Sequence, residues 1–314
     1  MYAIKSCNED FIVSENLPLI PPKGGEIKLY HLTKSGVSTF DAIAHITKCF
    51  NLPNGSLSYA GLKDEDGVTA QFLTDRSGSL PKSKRFILSE GYIELDYLYN
   101  TCSMLEPGQV LSNDFEVIIR EVNPDKLVIP SEFIFLNYYG LQRFGFPDEN
   151  KDSHLLGKFL LDENYLGLNE YLIQSGGYRL HPYLKSGGKC SARVNFLKSS
   201  YSSFLWNSRL SDLVKTQNSG YTEEIIEGMS YCYNRGERLA PETLTYKSYK
   251  VDSCGSDVTF LKERNSQVLV RSITHELCET DSIYLKLKFS LPTGSYATVF
   301  IDQLMKASKE LCEF

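Results

Sequence analysis

The chain has 314 residues, 42% of them hydrophobic and 23% charged. That is the balance of a soluble globular protein, long enough for one large domain or two ordinary ones. Its apolar runs are too short and too often broken to span a membrane, its first ten residues lack the apolar stretch of a signal peptide, and its net charge of -6 weighs against nucleic-acid binding unless a local patch opposes the sign of the whole.

In chain order, Phe11-Ile12-Val13 opens a short strand, and Ile27 and Leu29 alternate with polar neighbours as a second. Ser38 and Asp41 form a capping pair for a helix whose apolar face is drawn by Phe40, Ile43, Ile46, Thr47 and Phe50. Phe115, Val117 and Ile119 alternate as a half-buried strand, as do Ile283, Leu285, Leu287 and Phe289. A last helix runs from about Thr298, with Phe300, Ile301, Leu304 and Leu311 on its buried side. Between them, residues 161–270 differ in character. Tyr201, Phe204, Leu205, Leu213 and Val214 read as helix, and Ser186-Gly187-Gly188 and Asn218-Ser219-Gly220 as loops. The pattern predicts an α+β fold with a large mixed or antiparallel sheet, interrupted by an insertion.

Eight cysteines lie scattered without a C-x-x-C pair. This argues against a structural zinc site and for reduced core thiols in the cytoplasm. The five histidines are far apart, and no phosphate-binding G-x-x-x-x-G-K-[ST], H-E-x-x-H or G-x-S-x-G run is present.

Three segments carry possible chemistry. Gly61-Leu62-Lys63-Asp64 ends an apolar approach in a glycine and a Lys-Asp pair. A carboxylate held at such a turn and kept ionised by a cation suits nucleophilic catalysis, and the same pattern also describes a solvated charged turn. Phe135 to Gly145 packs aromatic, amide and guanidinium groups together. These groups stack on bases and bond their edges, or else form a core cluster around a glycine turn. Phe289 to Thr298 places Ser295 and Tyr296 where a strand passes into a helix, which is also the pattern of an ordinary connection.

Taken together the segments resemble the TruD family of pseudouridine synthases. Lys5 followed by Glu9-Asp10-Phe11-Ile12-Val13-Ser14-Glu15 is similar to the family's Lys and E-D-F-x-V-x-E. Gly61-Leu62-Lys63-Asp64 with Val68-Thr69-Ala70-Gln71 is similar to G-x-K-D and V-T-x-Q. Asn113-Asp114-Phe115 with Ile119-Arg120-Glu121-Val122, Asn137 to Gly145, and Leu291 to Thr298 are similar to G-N-x-F with L-R-x-V, to N-Y-F-G-x-Q-R-F-G, and to L-P-x-G-S-[YF]-A-T. The middle of the chain matches only loosely, through Arg193 and Ser199 to Asn207.

The resemblance implies a pseudouridine-synthase-type catalytic domain on a mixed, largely antiparallel sheet, placed at 1–160 and 271–314, with an inserted α/β TRUD domain at 161–270. It implies isomerisation of a uridine in RNA, usually in the D arm of tRNA, with no cofactor or metal; the sequence leaves the oligomeric state open, a monomer being the favoured expectation. Asp64 would be the nucleophile and Lys5 would hold it ionised. Phe11 and Tyr296 would line the uracil pocket, Tyr139 would contribute an aromatic face, and Asn137 and Lys63 would bind substrate. The sequence departs from the pattern at Glu65-Asp66-Gly67, where the family commonly has basic residues, at Asp302-Gln303-Leu304 in place of Arg-Glu-Leu, and at Tyr139 in place of Phe. Two alternatives stay open: a synthase acting on another RNA or a free uridine nucleotide, and a non-catalytic RNA-binding homologue.

Overall fold

A computed structural model describes residues 2–17, 22–63, 65–106, 108–145, 150–175, 192–234, 237–252, 256–279 and 283–311. The strands are β1 (Ala3–Ile4), β2 (Phe11–Asn16), β3 (Lys23–Ser35), β4 (Leu57–Tyr59), β5 (Val68–Asp75), β6 (Ser83–Ile87), β7 (Tyr92–Thr101), β8 (Ser112–Arg120), β9 (Phe133–Leu136), β10 (Thr222–Ile226), β11 (Met229–Tyr233), β12 (Thr243–Val251), β13 (Asp257–Asn265), β14 (Gln267–Val270), β15 (Thr274–Glu279) and β16 (Ile283–Pro292). The helices are α1 (Thr39–Cys49), α2 (Ser153–Leu161), α3 (Tyr165–Gln174), α4 (Ala192–Gln217) and α5 (Ala297–Leu311).

The chain forms two compact units. One comprises Met1–Phe133, Val270–Gly294 and Ser308–Phe314, and the other Ile134–Leu269 and Ser295–Ala307. The first is built on a ten-stranded sheet in the order β15-β16-β8-β2-β5-β3-β7-β6, with β1 on β8 and β4 on β5. Alternation dictates its register. Leu285, Leu287 and Phe289 of β16 face Ile119, Val117 and Phe115 of β8, and Phe11 and Val13 of β2 face Val117 and Phe115 from the other side. The Phe115 and Phe289 rings stack at 5.2 Å. The sheet is antiparallel except where β2 runs parallel to β5, pairing Ile12 with Val68.

Helix α1 covers the β3–β7 end of this sheet, burying Ala42 and Ile46 with Tyr30, Leu32, Leu73, Ile93 and Leu95. Ser38 caps it, its hydroxyl accepting the Asp41 N–H at 3.1 Å, an interaction that is typically worth about 1 kcal/mol. The expected apolar face is corrected at its first member. Phe40 is 62% exposed because the buried stripe runs through Thr39, Ala42 and Ile46, and Phe40 projects away from it.

The second unit is centred on α4, whose Trp206, Leu210 and Val214 are fully buried. Three ribbons accompany it: β10 with β11, β12 with β13, and β9 with β14. The observed division differs from the expected 1–160/161–270 split. Leu136, Tyr138, Tyr139 and Phe144 bury in one cluster with Trp206, Leu210, Val214, Tyr231 and Tyr246, so the chain crosses between units near residue 133 rather than 160. Residues 295–307 likewise belong to the second unit.

The core-thiol expectation is also corrected. Among the described free cysteines, Cys232 is buried, Cys278 is intermediate, and Cys7, Cys49 and Cys102 are exposed. Cys190, Cys254, Cys312 and the Ser186-Gly187-Gly188 run lie outside the described residues. Among the described residues, no helix is long and apolar enough to cross a membrane, and no three His, Cys, Asp or Glu side chains group as a metal site.

Candidate active site

Asp64 lies outside the described residues; the loop that leads into it is described through Lys63. Polar contacts hold this loop from several sides. The Thr39 hydroxyl accepts the Lys63 N–H at 2.9 Å and donates to Gln71 Oε1 at 2.9 Å. The Gln71 amide donates to the Gly61 carbonyl at 3.1 Å. Lys34, whose side chain is fully buried, donates its ammonium to the carbonyls of Val37 at 2.8 Å and Lys63 at 3.3 Å. Lys63 forms an ion pair with Glu15 at 2.7 Å, the two side chains being 8% and 0% exposed. Glu15 also accepts the Phe72 N–H at 3.1 Å. The Lys63 ammonium, expected to meet substrate, is engaged by Glu15 in this structure.

The parallel pairing of β2 with β5 brings the far end of the loop to Phe11. Gly67 has φ +145°, and a Cβ there would stand 2.5 Å from the Phe11 carbonyl oxygen. Glycine is thus required by both conformation and space. Phe11 is buried, edge-on to Phe115 at 5.9 Å, and the Lys5 ammonium sits 4.4 Å from its ring centroid. Lys5 takes a left-handed backbone, φ +57°, which is uncommon for a residue with a Cβ. The segment is fixed by Ala3 pairing with Arg120 and by a two-pronged Arg120–Asp10 contact at 2.8 and 2.6 Å. The Arg120 guanidinium holds the Asp10 carboxyl below the usual carboxylate range. Lys5, Phe11 and Lys63 thus belong to one unit, whereas Asn137, Tyr139 and Tyr296 belong to the other.

In the second unit, Asn207 of α4 clamps the Tyr139 backbone. Its side-chain oxygen accepts the Tyr139 N–H at 2.8 Å and its amide donates to the Tyr139 carbonyl at 3.0 Å. The Trp206 indole donates to the Asn137 carbonyl at 2.9 Å. Asn137 is buried, and its side chain is occupied by the protein. Its oxygen accepts from Arg264 at 2.7 Å and from Ser295 at 3.2 Å, and its amide donates to the Asn265 carbonyl at 3.0 Å. Asn137 therefore aims Arg264, whose guanidinium lies 4.1 Å over the Tyr139 ring.

Tyr296 meets Tyr139 edge-on at 5.8 Å and rests on Gly140, where a Cβ would come within 3.0 Å of its ring. The extra hydroxyl of Tyr139 finds Tyr246 at 2.8 Å. Burial pushes the Tyr139 phenol up. Arg264, the Tyr246 hydrogen bond, Lys262 and Arg143 outweigh it, and the group sits below the ordinary tyrosine value. Its partner Tyr246 is held above that value, chiefly by burial.

Of the departures from the family pattern, Glu65 and Asp66 are exposed. Asp302 is paired with Lys306 at 2.7 Å. Gln303 is buried and spans the Leu136 backbone, accepting its N–H at 2.8 Å and donating to its carbonyl at 2.9 Å, which a carboxylate could only half do. Sequence reasoning missed Lys34, Thr39 and Arg264, and named Asn207 only as the end of a loose match. Glu15 and Gln71 stood inside quoted motifs, but their task of holding the loop had no signature of its own.

A mixed, largely antiparallel sheet carrying a loop anchored through Lys63, with a second unit inserted in the chain, is a pseudouridine-synthase-type fold. It is similar to that of a solved structure described as a putative tRNA pseudouridine synthase D from Methanosarcina mazei. The TM-score is 0.59 at 17% identity, over 96% of this chain and 93% of that one. A family model described as tRNA pseudouridine synthase D (TruD) matches residues 2–180, and the chain belongs to this family. Leu291 to Thr298 lies beyond the matched range.

Among curated relatives, a probable tRNA pseudouridine synthase D 1 of Methanococcus maripaludis is 29% identical over 82% of this chain and 65% of its own length. The tRNA pseudouridine synthase D of Aquifex aeolicus is 30% identical over 58% of this chain and 49% of its own. That of Colwellia psychrerythraea is 25% identical over 96% and 89%. The chain thus spans from about half to just under two thirds of the first curated relatives it matches.

Proposed function

We propose that the protein is a pseudouridine synthase that isomerises a uridine in RNA, most often one in the D arm of tRNA. Asp64 is its nucleophile. The N-glycosidic bond of the uridine breaks with the sugar carried on the carboxylate, the uracil turns, and the sugar is rejoined through carbon. No atom is gained or lost overall. The match of residues 2–180 to the TruD family model, with the anchored loop inside it, carries this reading.

Each side chain then has a task. Thr39, Gln71 and Lys34 fix the backbone that presents Asp64. Lys5 favours the ionised carboxylate, while Phe11, Tyr139 and Tyr296 offer apolar faces to the uracil. A paired uridine must leave its stack to reach such a site, which costs a few kcal/mol. Aromatic stacking of about 1–3 kcal/mol per base offsets that cost. The same reading takes the protein as a cytoplasmic monomer that works on RNA without metal or organic cofactor. The pairing of Asp302 with Lys306 removes one of the negative charges that spoke for a small substrate.

The test is incubation with an unmodified tRNA transcript and mapping of pseudouridine. The wild type is expected to form it in the D arm, and Asp64→Asn to form none. Full activity of Asp64→Asn would remove Asp64 from the mechanism.

A further inference from the structure

The acidic chain needs a basic surface if RNA is its substrate, and the β12–β13 ribbon supplies a sorted one. Directly opposed residues of an antiparallel pair share a face. On one face, Leu244, Tyr246 and Ser248 of β12 are buried, with the Tyr246 ring 5.3 Å from that of Trp206. Their partners on β13 are Arg264, Lys262 and Phe260. Phe260 and Lys262 are exposed, so this face continues past the core into solvent.

Lys250 joins the same face, its ammonium 5.5 Å from the Phe260 ring centroid. Every charged residue of the ribbon on this face is therefore a cation. The carboxylates Glu263 and Asp257 alternate onto the other face, opposite Thr245 and Val251, together with Lys247; Asp257 is paired with Lys198. Lys262, Arg264 and Arg143 are also the cations that act on the Tyr139 phenol.

Resting on the RNA reading above, we infer that this face binds the unpaired RNA strand next to the target uridine. A base stacks on Phe260, and Lys262 and Lys250 take phosphates. Alternate residues along a strand are about 6.8 Å apart, a step that lets neighbouring side chains serve successive nucleotides. A positive groove with an aromatic platform is the general solution for single strands. The stripe leads along β13 to Arg264, which Asn137 holds over Tyr139.

The experiment measures binding of the full chain to an unmodified tRNA transcript and to a single-stranded oligouridine across salt concentrations. Lys262→Ala and Lys250→Ala are each expected to flatten the slope of log affinity against log salt by about 0.7. Phe260→Ala is expected to weaken binding about 5- to 150-fold with the slope kept. Lys247→Ala, also exposed but on the other face, is expected to change neither. Equal effects of Lys247→Ala and Lys262→Ala, no effect of either, or no binding by the wild type would overturn the inference. Isomerisation is scored in the same samples. Wild-type protein that binds with the expected slopes but forms no pseudouridine would defeat the synthase reading and leave this face standing.

Discussion

The loop that leads into Asp64 and the segment from Asn137 to Phe144 are both short and glycine-bearing, yet different forces hold them. The first rests on a buried ammonium, a buried ion pair and a Thr–Gln relay. The second is pinned by an aromatic core, and its polar bonds run mostly from neutral donors such as Asn207 and Trp206. Buried charge gives direction at the cost of desolvation, whereas close packing gives rigidity through shape. Under the proposed function, a nucleophile that must stay ionised needs a fixed field around it, and rings that receive a base need fixed positions. The contrast predicts that the two halves fail differently.

Glu15→Ala attacks the first half. It leaves the Lys63 ammonium without its carboxylate and the Phe72 N–H without its acceptor. Breaking a buried pair by removing one partner costs about 3–5 kcal/mol, read as a shift in the denaturant midpoint. The double variant Glu15→Leu with Lys63→Met is expected to regain most of that stability. A midpoint unmoved by Glu15→Ala would mean that Thr39 and Gln71 hold the loop unaided.

His154 sharpens the contrast from the other side, since it is a titratable group inside the aromatic core. It stacks on Phe204 at 4.7 Å and meets Phe144 edge-on at 5.4 Å. Its buried Nδ1 has no hydrogen-bond partner among the described residues. Burial pushes its imidazole down to about 4. The unfolded chain therefore takes up this proton first, near pH 6.5. Stability is full above that pH and falls by about 3 kcal/mol as pH drops toward 4. Urea titrations at pH 7 and pH 4.5 measure the loss. His154→Phe is expected to remove this part of the pH dependence, and an unchanged difference in that variant would assign it to other groups.

Much of this was legible beforehand, for identifiable reasons. The alternation of Phe115, Val117 and Ile119 against Leu285, Leu287 and Phe289 gave both strands of a pair, because a half-buried sheet writes its period into the sequence. Ser38 and Asp41 marked a helix start through cap chemistry. Lys34 left no such trace. A lysine between Thr33 and Ser35 reads as a surface residue of a strand, and its burial as a donor appears only once the fold brings the Val37 and Lys63 carbonyls to it. Arg264 and Asn137 lie far apart in sequence and meet only when β13 folds back. The boundary near 133 was hidden for the same reason, since Tyr138 and Phe144 find their core partners in Trp206 and Tyr231, far along the chain.

The smallest expected effect tests the packing half at a single methyl group. Gly140 has φ −73°, a conformation open to any residue, so Gly140→Ala carries no backbone strain. Its only burden is space: the added Cβ stands 3.0 Å from Cδ1 of Tyr296 and 3.4 Å from Cγ2 of Val299. Overpacking of this kind costs about 1–3 kcal/mol. The Tyr296 ring must yield, and with it the edge-on contact to Tyr139. The expected result is a modest drop in melting temperature with a larger proportional drop in kcat/KM for RNA. Adding Tyr296→Ala removes the ring that the methyl group meets. The double variant should therefore be more stable than the sum of the single losses predicts, a positive coupling read from a double-mutant cycle. Coupling near zero would show that the glycine is not what seats Tyr296, and the second segment would then owe its geometry to the Asn207 clamp rather than to close packing.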